Sequence, residues 1–184
     1  LTSNIATVML TVLSINDEPV AVGDVAAVNQ DATLNASVAA GVLGNDTDAD
    51  AGESLTVIQV ETGPSAAEVL PLTPGVLTSS YGTLTVHADG SYTYVANGVA
   101  SKVLGAGEKS DDTFVYTLRD ASGATSSSTL TFSITGSNDA PTNSPVTLTA
   151  IAEDSGGRLI TQTELLANAG DVDDAALTAI SVAI

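Results

Sequence analysis

Between Gly44 and Glu53 the chain sets Asp46, Asp48, Asp50 and Glu53 beside Asn45, with glycine at positions 44 and 52. Two unit charges about 4 Å apart repel by roughly 1 kcal/mol in water and about 4 kcal/mol at a surface-like dielectric, so this grouping is unfavourable unless something neutralises it. Ca2+ would do so. It takes about six to eight oxygens from carboxylates, amides and backbone carbonyls, and alternate acidic residues on a turn supply them without nitrogen or sulfur. A solvated acidic turn is the competing reading, and alternation alone does not separate the two.

Recurrence shifts the balance towards a cation. Leu166-Ala167-Asn168-Ala169-Gly170-Asp171-Val172-Asp173-Asp174, followed by Leu177-Thr178, matches the first stretch, with Asn45 to Asn168, Asp48 to Asp171 and Asp50 to Asp173 each 123 positions apart. Leu10-Thr11-Val12 matches Leu130-Thr131-Phe132 at 120, and Asn16-Asp17-Glu18-Pro19 matches Asn138-Asp139-Ala140-Pro141 at 122. A repeat of about 122 residues follows. Residues 1–15 read as the last strand of a preceding unit, 16–137 as one complete unit, and 138–184 as the first part of a following one. The chain is accordingly expected to be a fragment of a longer, extracellular protein.

Composition narrows the partners. Four basic residues (Lys102, Lys109, Arg119 and Arg158) stand against 22 acidic ones, a net charge of −18, whereas phosphate binding needs clustered Lys and Arg. Nucleic acid and anionic membrane are therefore excluded as direct partners. There is no cysteine, which removes disulfides and thiolate sites and leaves calcium as the available staple. No apolar run reaches the roughly 18 residues of a membrane span, and no signal peptide is visible in the first twenty residues. Aromatics make up only 3%, so the expected core is built of Val, Leu, Ile and Ala with few large anchors.

The elements that must carry the acidic loops are short strands. Residues 5–15, 20–28, 55–60, 83–88, 91–95, 112–118 and 128–134 are rich in β-branched or alternating apolar residues and are bounded by Gly, Pro, Asn and Asp. Asp89-Gly90 between alternating runs predicts a hairpin. A two-residue loop would pair His87 with Tyr92; a bulged loop would pair Tyr92 and Tyr94 with Val86 and Leu84, and is favoured because it buries both tyrosines. Thr161 and Glu164 fit a capping box, whereas Gly41 limits the equivalent 37–43 segment to one turn, α or 3₁₀. Residues 63–78 and 97–111 read as irregular connections. With no long amphipathic helix, the fold class is all-β, an antiparallel sandwich.

Gly82-Thr83-Leu84-Thr85-Val86, Asp89-Gly90-Ser91-Tyr92-Thr93-Tyr94, Asp112-Thr113-Phe114-Val115-Tyr116 and Ser137-Asn138-Asp139-Ala140-Pro141 together resemble the VCBS repeat of large bacterial surface proteins. The partial unit, with Glu153-Asp154, Leu165-Leu166-Ala167-Asn168 and Asp171-Val172-Asp173, resembles the related cadherin-like repeats. The resemblance covers nearly the whole chain. It implies immunoglobulin/cadherin-like sandwiches strung in tandem within a secreted adhesin of the RTX kind, exported by type I secretion and stiffened by Ca2+ at domain junctions. The junction ligands it implies are Asn16, Asp17 and Asp31 with Asp46, Asp48 and Asp50, repeated as Asn138, Asp139, Glu153, Asp154, Asp171 and Asp173. Two departures stand out: Gln30 occupies the place of Glu153, and Ala169 the place of Asp46.

Other functions have less behind them. His87 is the only histidine and no nucleophile motif accompanies it; paired carboxylates could serve a glycosidase, but the chain has no Trp to stack a sugar. We read no enzyme. Glycan binding would require exposed tyrosines, and core packing is the expected fate of Tyr81, Tyr92, Tyr94 and Tyr116. Asp112 and Asp120 are expected to serve turns rather than an ion, while Glu53 could join the loop's ligands or face water. The remaining alternative is an extracellular filament in which neighbouring copies pair unpartnered strands head to tail.

Overall fold

The chain is described from a computed structural model that covers residues 8–11, 15–50, 52–63, 69–71, 75–154 and 156–180. Among the described residues nine strands follow in order: β1 (Asp24–Asn29), β2 (Thr33–Ala36), β3 (Thr56–Thr62), β4 (Val69–Pro71), β5 (Gly75–Thr78), β6 (Thr83–Val86), β7 (Tyr92–Val95), β8 (Lys109–Arg119) and β9 (Thr125–Thr135). Two four-residue helices, α1 (Val99–Lys102) and α2 (Gln162–Leu165), and a 3₁₀ turn at Val38–Ala40 complete it. One sheet has the order β1-β9-β8-β3-β4 and the other β2-β7-β6-β5. They pack face to face as the expected sandwich.

Alternation explains the packing. Leu84 and Val86 of β6, Tyr92 and Tyr94 of β7, Phe114, Tyr116 and Leu118 of β8, and Leu130, Phe132 and Ile134 of β9 all point inward and are buried. Each large apolar side chain taken from water contributes about 1.5–3 kcal/mol. Aromatics are scarce but concentrated: Tyr94 stacks on Phe132 with centroids 3.8 Å apart, and Phe114 meets Phe132 edge-on at 6.0 Å. A few rings thus anchor the centre of a core otherwise built of Val, Leu and Ile.

The hairpin takes the bulged register, with Leu84 opposite Tyr94 and Val86 opposite Tyr92. Gly90 at its tip has φ +82°, which an L side chain resists, and its carbonyl accepts the N–H of Val42 at 3.0 Å. A Cβ on Gly41 would stand 2.1 Å from that carbonyl oxygen, so glycine there serves close backbone approach. The capping box also forms: Thr161 Oγ1 accepts Glu164 N–H at 3.3 Å, and Glu164 Oε2 accepts Thr161 N–H at 2.9 Å.

Three expectations require correction. The 63–78 connection contains β4 and β5, because β3 and β6 each leave an edge that an extended segment can pair. The 97–111 segment holds α1 and the first residues of β8, whose ladder with β9 runs on to Lys109 opposite Thr135. Within the 5–15 segment, residues 8–11 and 15 form no strand; Val8, Met9, Leu10 and Ile15 are exposed, and no described strand lies beside them to supply a ladder. Residues 5–7 and 12–14 of that segment lie outside the described residues.

One pairing is parallel rather than antiparallel: β1 runs alongside β9 from Asp24 opposite Leu130 to Asn29 opposite Thr135. The chain therefore enters and leaves the complete unit at opposite ends. That topology places each linker.

Candidate metal centre

The entering linker, residues 16–23, lies across the acidic loop. Val20 and Thr47 exchange backbone hydrogen bonds of 2.8 and 3.2 Å, which fixes the register of linker against loop. Asp17 N–H then donates to Asp50 Oδ2 at 2.7 Å, and Asp50 N–H to Asp48 Oδ1 at 2.8 Å, an Asx turn that curls the loop back on itself. Asn16 Nδ2 reaches Asp120 Oδ2 at 2.8 Å. Asp120, buried at the β8–β9 turn, also accepts Gly123 N–H and Ala124 N–H, and these donors hold its carboxyl below the ordinary carboxylate value, Asn16 contributing most. Asp120 is thus the turn residue expected. Glu53 accepts Ala121 N–H at 3.0 Å and clamps the loop to the same turn.

Asp46 faces inward. Its Oδ1 accepts Val22 N–H at 2.7 Å, and Tyr116 Oη donates to it at 3.0 Å while also lying 2.9 Å from Val22 O. Asp24, at the start of β1, sits beside it. Burial and the neighbouring Asp46 charge push Asp24 up to about 6, against hydrogen bonds from Tyr116 and Asn45. Burial also raises Asp46, and it raises the Tyr116 phenol, with the two carboxylates adding to the shift. The sequence reading missed Asp24. Its signal was the two-residue period: positions 24, 26 and 28 share the inward face of β1, so a carboxylate there is drawn into the sandwich. Tyr116 was read only as core, although a buried phenol needs an acceptor and so implied a polar neighbour.

The second loop repeats this geometry. Thr142 and Gly170 form the bridge corresponding to Val20 and Thr47. Asp139 N–H donates to Asp173 Oδ2 at 3.3 Å, and Asp173 N–H to Asp171 Oδ1 at 3.2 Å. The two carboxyls lie side by side, and their pairing holds Asp171 down and pushes Asp173 up. Asn138 turns its amide to Asp139 O.

Not every implied ligand joins these groups. Asp31 lies past the far end of β1, about 20 Å of strand away from Asp17, Asp48 and Asp50, where it faces Lys102 Nζ at 3.9 Å. It cannot share an ion with them, because β1 carries it to the opposite end of the sandwich. Glu153 and Asp154 are exposed and take no part in the bonds that join Asp139, Asp171 and Asp173. Asp31 and Asp154 do correspond: they are the two described non-glycine residues with positive φ, +59° and +65°.

Whether the residues suit a hard cation can be tested on the oxygens. Asp24 Oδ2, Asp48 Oδ2 and Asp173 Oδ1 are buried without a hydrogen-bond partner. Leaving such an acceptor unsatisfied costs about 1–3 kcal/mol, more when it is charged. The ion pairs among the described residues, Lys102 with Asp31 and Arg158 with Glu164, neutralise neither loop. An all-oxygen donor set with orphaned carboxylate oxygens fits Ca2+. Among the described residues, no three His, Cys, Asp or Glu side chains converge as they stand, so binding would require side-chain rotation within the loops.

Asp112 is occupied elsewhere. It is buried, its carboxyl raised by that burial, and it accepts Tyr94 Oη and Ser79 Oγ at 2.6 Å each. Tyr92, Tyr94 and Tyr116 are buried, and Tyr81 is half-buried with its hydroxyl accepting Ser110 Oγ–H at 2.7 Å. No tyrosine pair is left exposed beside either loop for a sugar. No described helix is long and apolar enough to cross a membrane.

A nine-stranded sandwich with linkers at opposite ends, each linker bonded to the acidic loop of its own unit, defines a module built for tandem arrays. The sequence profile of the bacterial cadherin-like domain matches residues 16–136, and that of the cadherin-like domain matches residues 137–184. The chain belongs to the bacterial cadherin-like domain family. Domains of this family are typically extracellular modules of structural or adhesive type. No curated protein matches the chain significantly. Among solved structures, a nucleoside hydrolase-related hypothetical protein from Saccharophagus degradans, associated with carbohydrate metabolism, is 17% identical, with a TM-score of 0.40. The match covers 65% of this chain and 26% of that one, so this chain spans about a quarter of that relative, and at that score the likeness bears on neither fold nor function.

Proposed function

We propose that the chain is a calcium-stiffened spacer of a secreted bacterial surface adhesin of the VCBS and RTX kind, extending a binding tip from the cell and supporting adhesion or biofilm formation. One observation carries this reading: the bond from linker to acidic loop, Asp17 to Asp50, recurs as Asp139 to Asp173, each beside a buried carboxylate oxygen with no donor. An ion bound there would tie the linker to the loop and replace a hinge with a fixed angle. Asp17, Asp48 and Asp50 with Asn16 would hold it in the first copy, and Asp139, Asp171 and Asp173 with Asn138 in the second. Asp24 and Asp46 add negative charge behind the first loop.

Extracellular calcium modules bind with dissociation constants of about 10⁻⁴ to 10⁻³ M, and ligand at 100 times that constant adds about 2.7 kcal/mol per site. Thermal unfolding in excess calcium and after chelation, with magnesium as control, tests the reading. A calcium-specific rise of several degrees is expected, largely abolished by Asp48→Asn with Asp50→Asn. Equal midpoints with and without calcium would sink it.

A second reading, strand pairing between copies, has its own support. Residues 8–10 and 15 are apolar and exposed, and Leu10-Thr11-Val12 matches Leu130-Thr131-Phe132 of β9. Residues 141–146, 165–166 and 177–179 surround an open, partly apolar space of about 430 Å³. The segment before Asn16 of one copy would become a strand by pairing along the 146–151 segment of the next, as β9 runs along β1. Light scattering decides: growth of mass with concentration is expected, and a monodisperse monomer removes this reading.

A further inference from the structure

Gln30 connects the complete unit to the linker that follows it. Its backbone N–H extends the β1–β9 ladder to Thr135 O at 2.9 Å. Its side chain, 6% exposed, turns to the linker: Nε2 donates to Asp139 Oδ2 at 2.8 Å, and Oε1 accepts Ser137 N–H at 3.1 Å. The amide can sit only this way round, since a carboxylate solely accepts and a backbone N–H solely donates. Because β1 and β9 are parallel and in register, the residue after β1 falls beside the residues after β9, which places Gln30 against residues 137–139. Asp139 in turn donates its N–H to Asp173 of the second acidic loop at 3.3 Å. One buried amide therefore joins the first unit, the linker and the second unit in a single hydrogen-bonded path.

We propose that Gln30 is a cation-independent latch that fixes the junction after the complete unit, and that Gln or Glu at this position decides whether a junction needs a cation. A glutamate here would set a second carboxylate against Asp139 with no proton to share, and the pair would separate unless a cation lay between them. Glu153 occupies the equivalent position of the next unit. The latch stands on the Gln30 bonds alone; the role of glutamate rests on the calcium reading above.

The experiment uses the full chain labelled with ¹⁵N, in chelator and in millimolar calcium. It reads hydrogen exchange of the Ser137 amide and heteronuclear NOEs from Ser137 to Asn143. In chelator, the unaltered chain should hold Ser137 at least tenfold more protected than Gln30→Ala does, with rigid NOE values that fall in that variant. Asp139→Ala, at a half-buried linker residue remote from the sandwich core, should loosen the linker likewise. Ser137 exchanging as fast in the unaltered chain as in Gln30→Ala would overturn the latch. Gln30→Glu should be loose in chelator and tighten again with calcium. A Gln30→Glu junction tight in chelator, or one still loose in calcium while the unaltered chain's thermal midpoint rises, would overturn the switch alone. A midpoint unmoved by calcium would remove the calcium reading and leave the Gln30→Ala comparison to judge the latch.

Discussion

The two acidic loops share a backbone design and differ in what lies beneath them. Around residues 44–53, β8 brings Tyr116 over Asp46, and β1 brings Asp24 beside it, so the loop rests on a buried polar layer. Around residues 167–174 there is an alanine at 169 in place of Asp46, and neither Val146 nor Thr147, at offsets of 122 and 123 from Asp24, is acidic. No described strand covers that loop as β8 covers the first, and an open space of about 430 Å³ lies next to it. The linker bond and the Asx turn therefore belong to the repeat itself, whereas the orphaned oxygen falls on Asp48 in the first copy and on Asp173, the counterpart of Asp50, in the second. The buried layer is built by β1 and β8 of the first unit, and it sets Asp24 and Asp46 as two further carboxylates behind the first loop.

Removing the layer gives the largest effect. Tyr116→Ala takes a fully buried ring and the phenol on Asp46 from the first copy only, and should cost about 3–5 kcal/mol in urea unfolding. A loss under 1 kcal/mol would mean that the layer carries no weight and that the loops are alike.

The pH response should also separate the copies. Asp24 rises from 3.8 to about 6 on folding, so its contribution favours the fold below pH 4 and is lost as pH climbs through about 6. Asp46 and Asp112 shift the same way. Asp120 is lowered, so what it contributes is lost only as pH falls below the ordinary carboxylate range, and in the second copy the lowered Asp171 and the raised Asp173 oppose each other. In chelator the complete unit should therefore gain stability between pH 7 and pH 5, by about 1 kcal/mol after solvent screening of a half-buried group. Asp24→Asn should flatten that slope; a slope unchanged in this variant would assign the titration elsewhere.

Ala169→Asp is the finest test. It restores the missing carboxylate opposite Ser144, which corresponds to Val22, and should tighten calcium at the second loop about threefold to tenfold by calorimetric titration. Unchanged affinity would show that the inward carboxylate serves the sandwich rather than the ion.

Much of this fold was legible in the residues. Asp89-Gly90 with flanking alternation implied the hairpin and left two registers open, of which burial of both tyrosines favoured the bulged one that forms, and Thr161 with Glu164 implied the capped turn. The paired Asp motifs 123 positions apart implied two equivalent loops. The site was legible only in part. Asp31 was grouped with Asp17, but β1 places them at opposite ends; Asp24 was hidden in an apolar run; and Gln30 was noticed only as a missing acid.

What the sequence by itself determined, beyond the repeat read from matching motifs, is what few neighbouring residues decide: strand alternation, turn chemistry and capping. These depend on side chains within about four positions of one another, where backbone sterics and local hydrogen bonds suffice. Only the tertiary structure decided which donor each carboxylate meets. Asp50 takes its N–H from 33 positions away, Asp120 its amide from 104 and Asp139 its amide from 109. Those partners meet because β1 lies parallel to β9 and the two sheets close over one aromatic centre, a consequence of burying the whole apolar face at once.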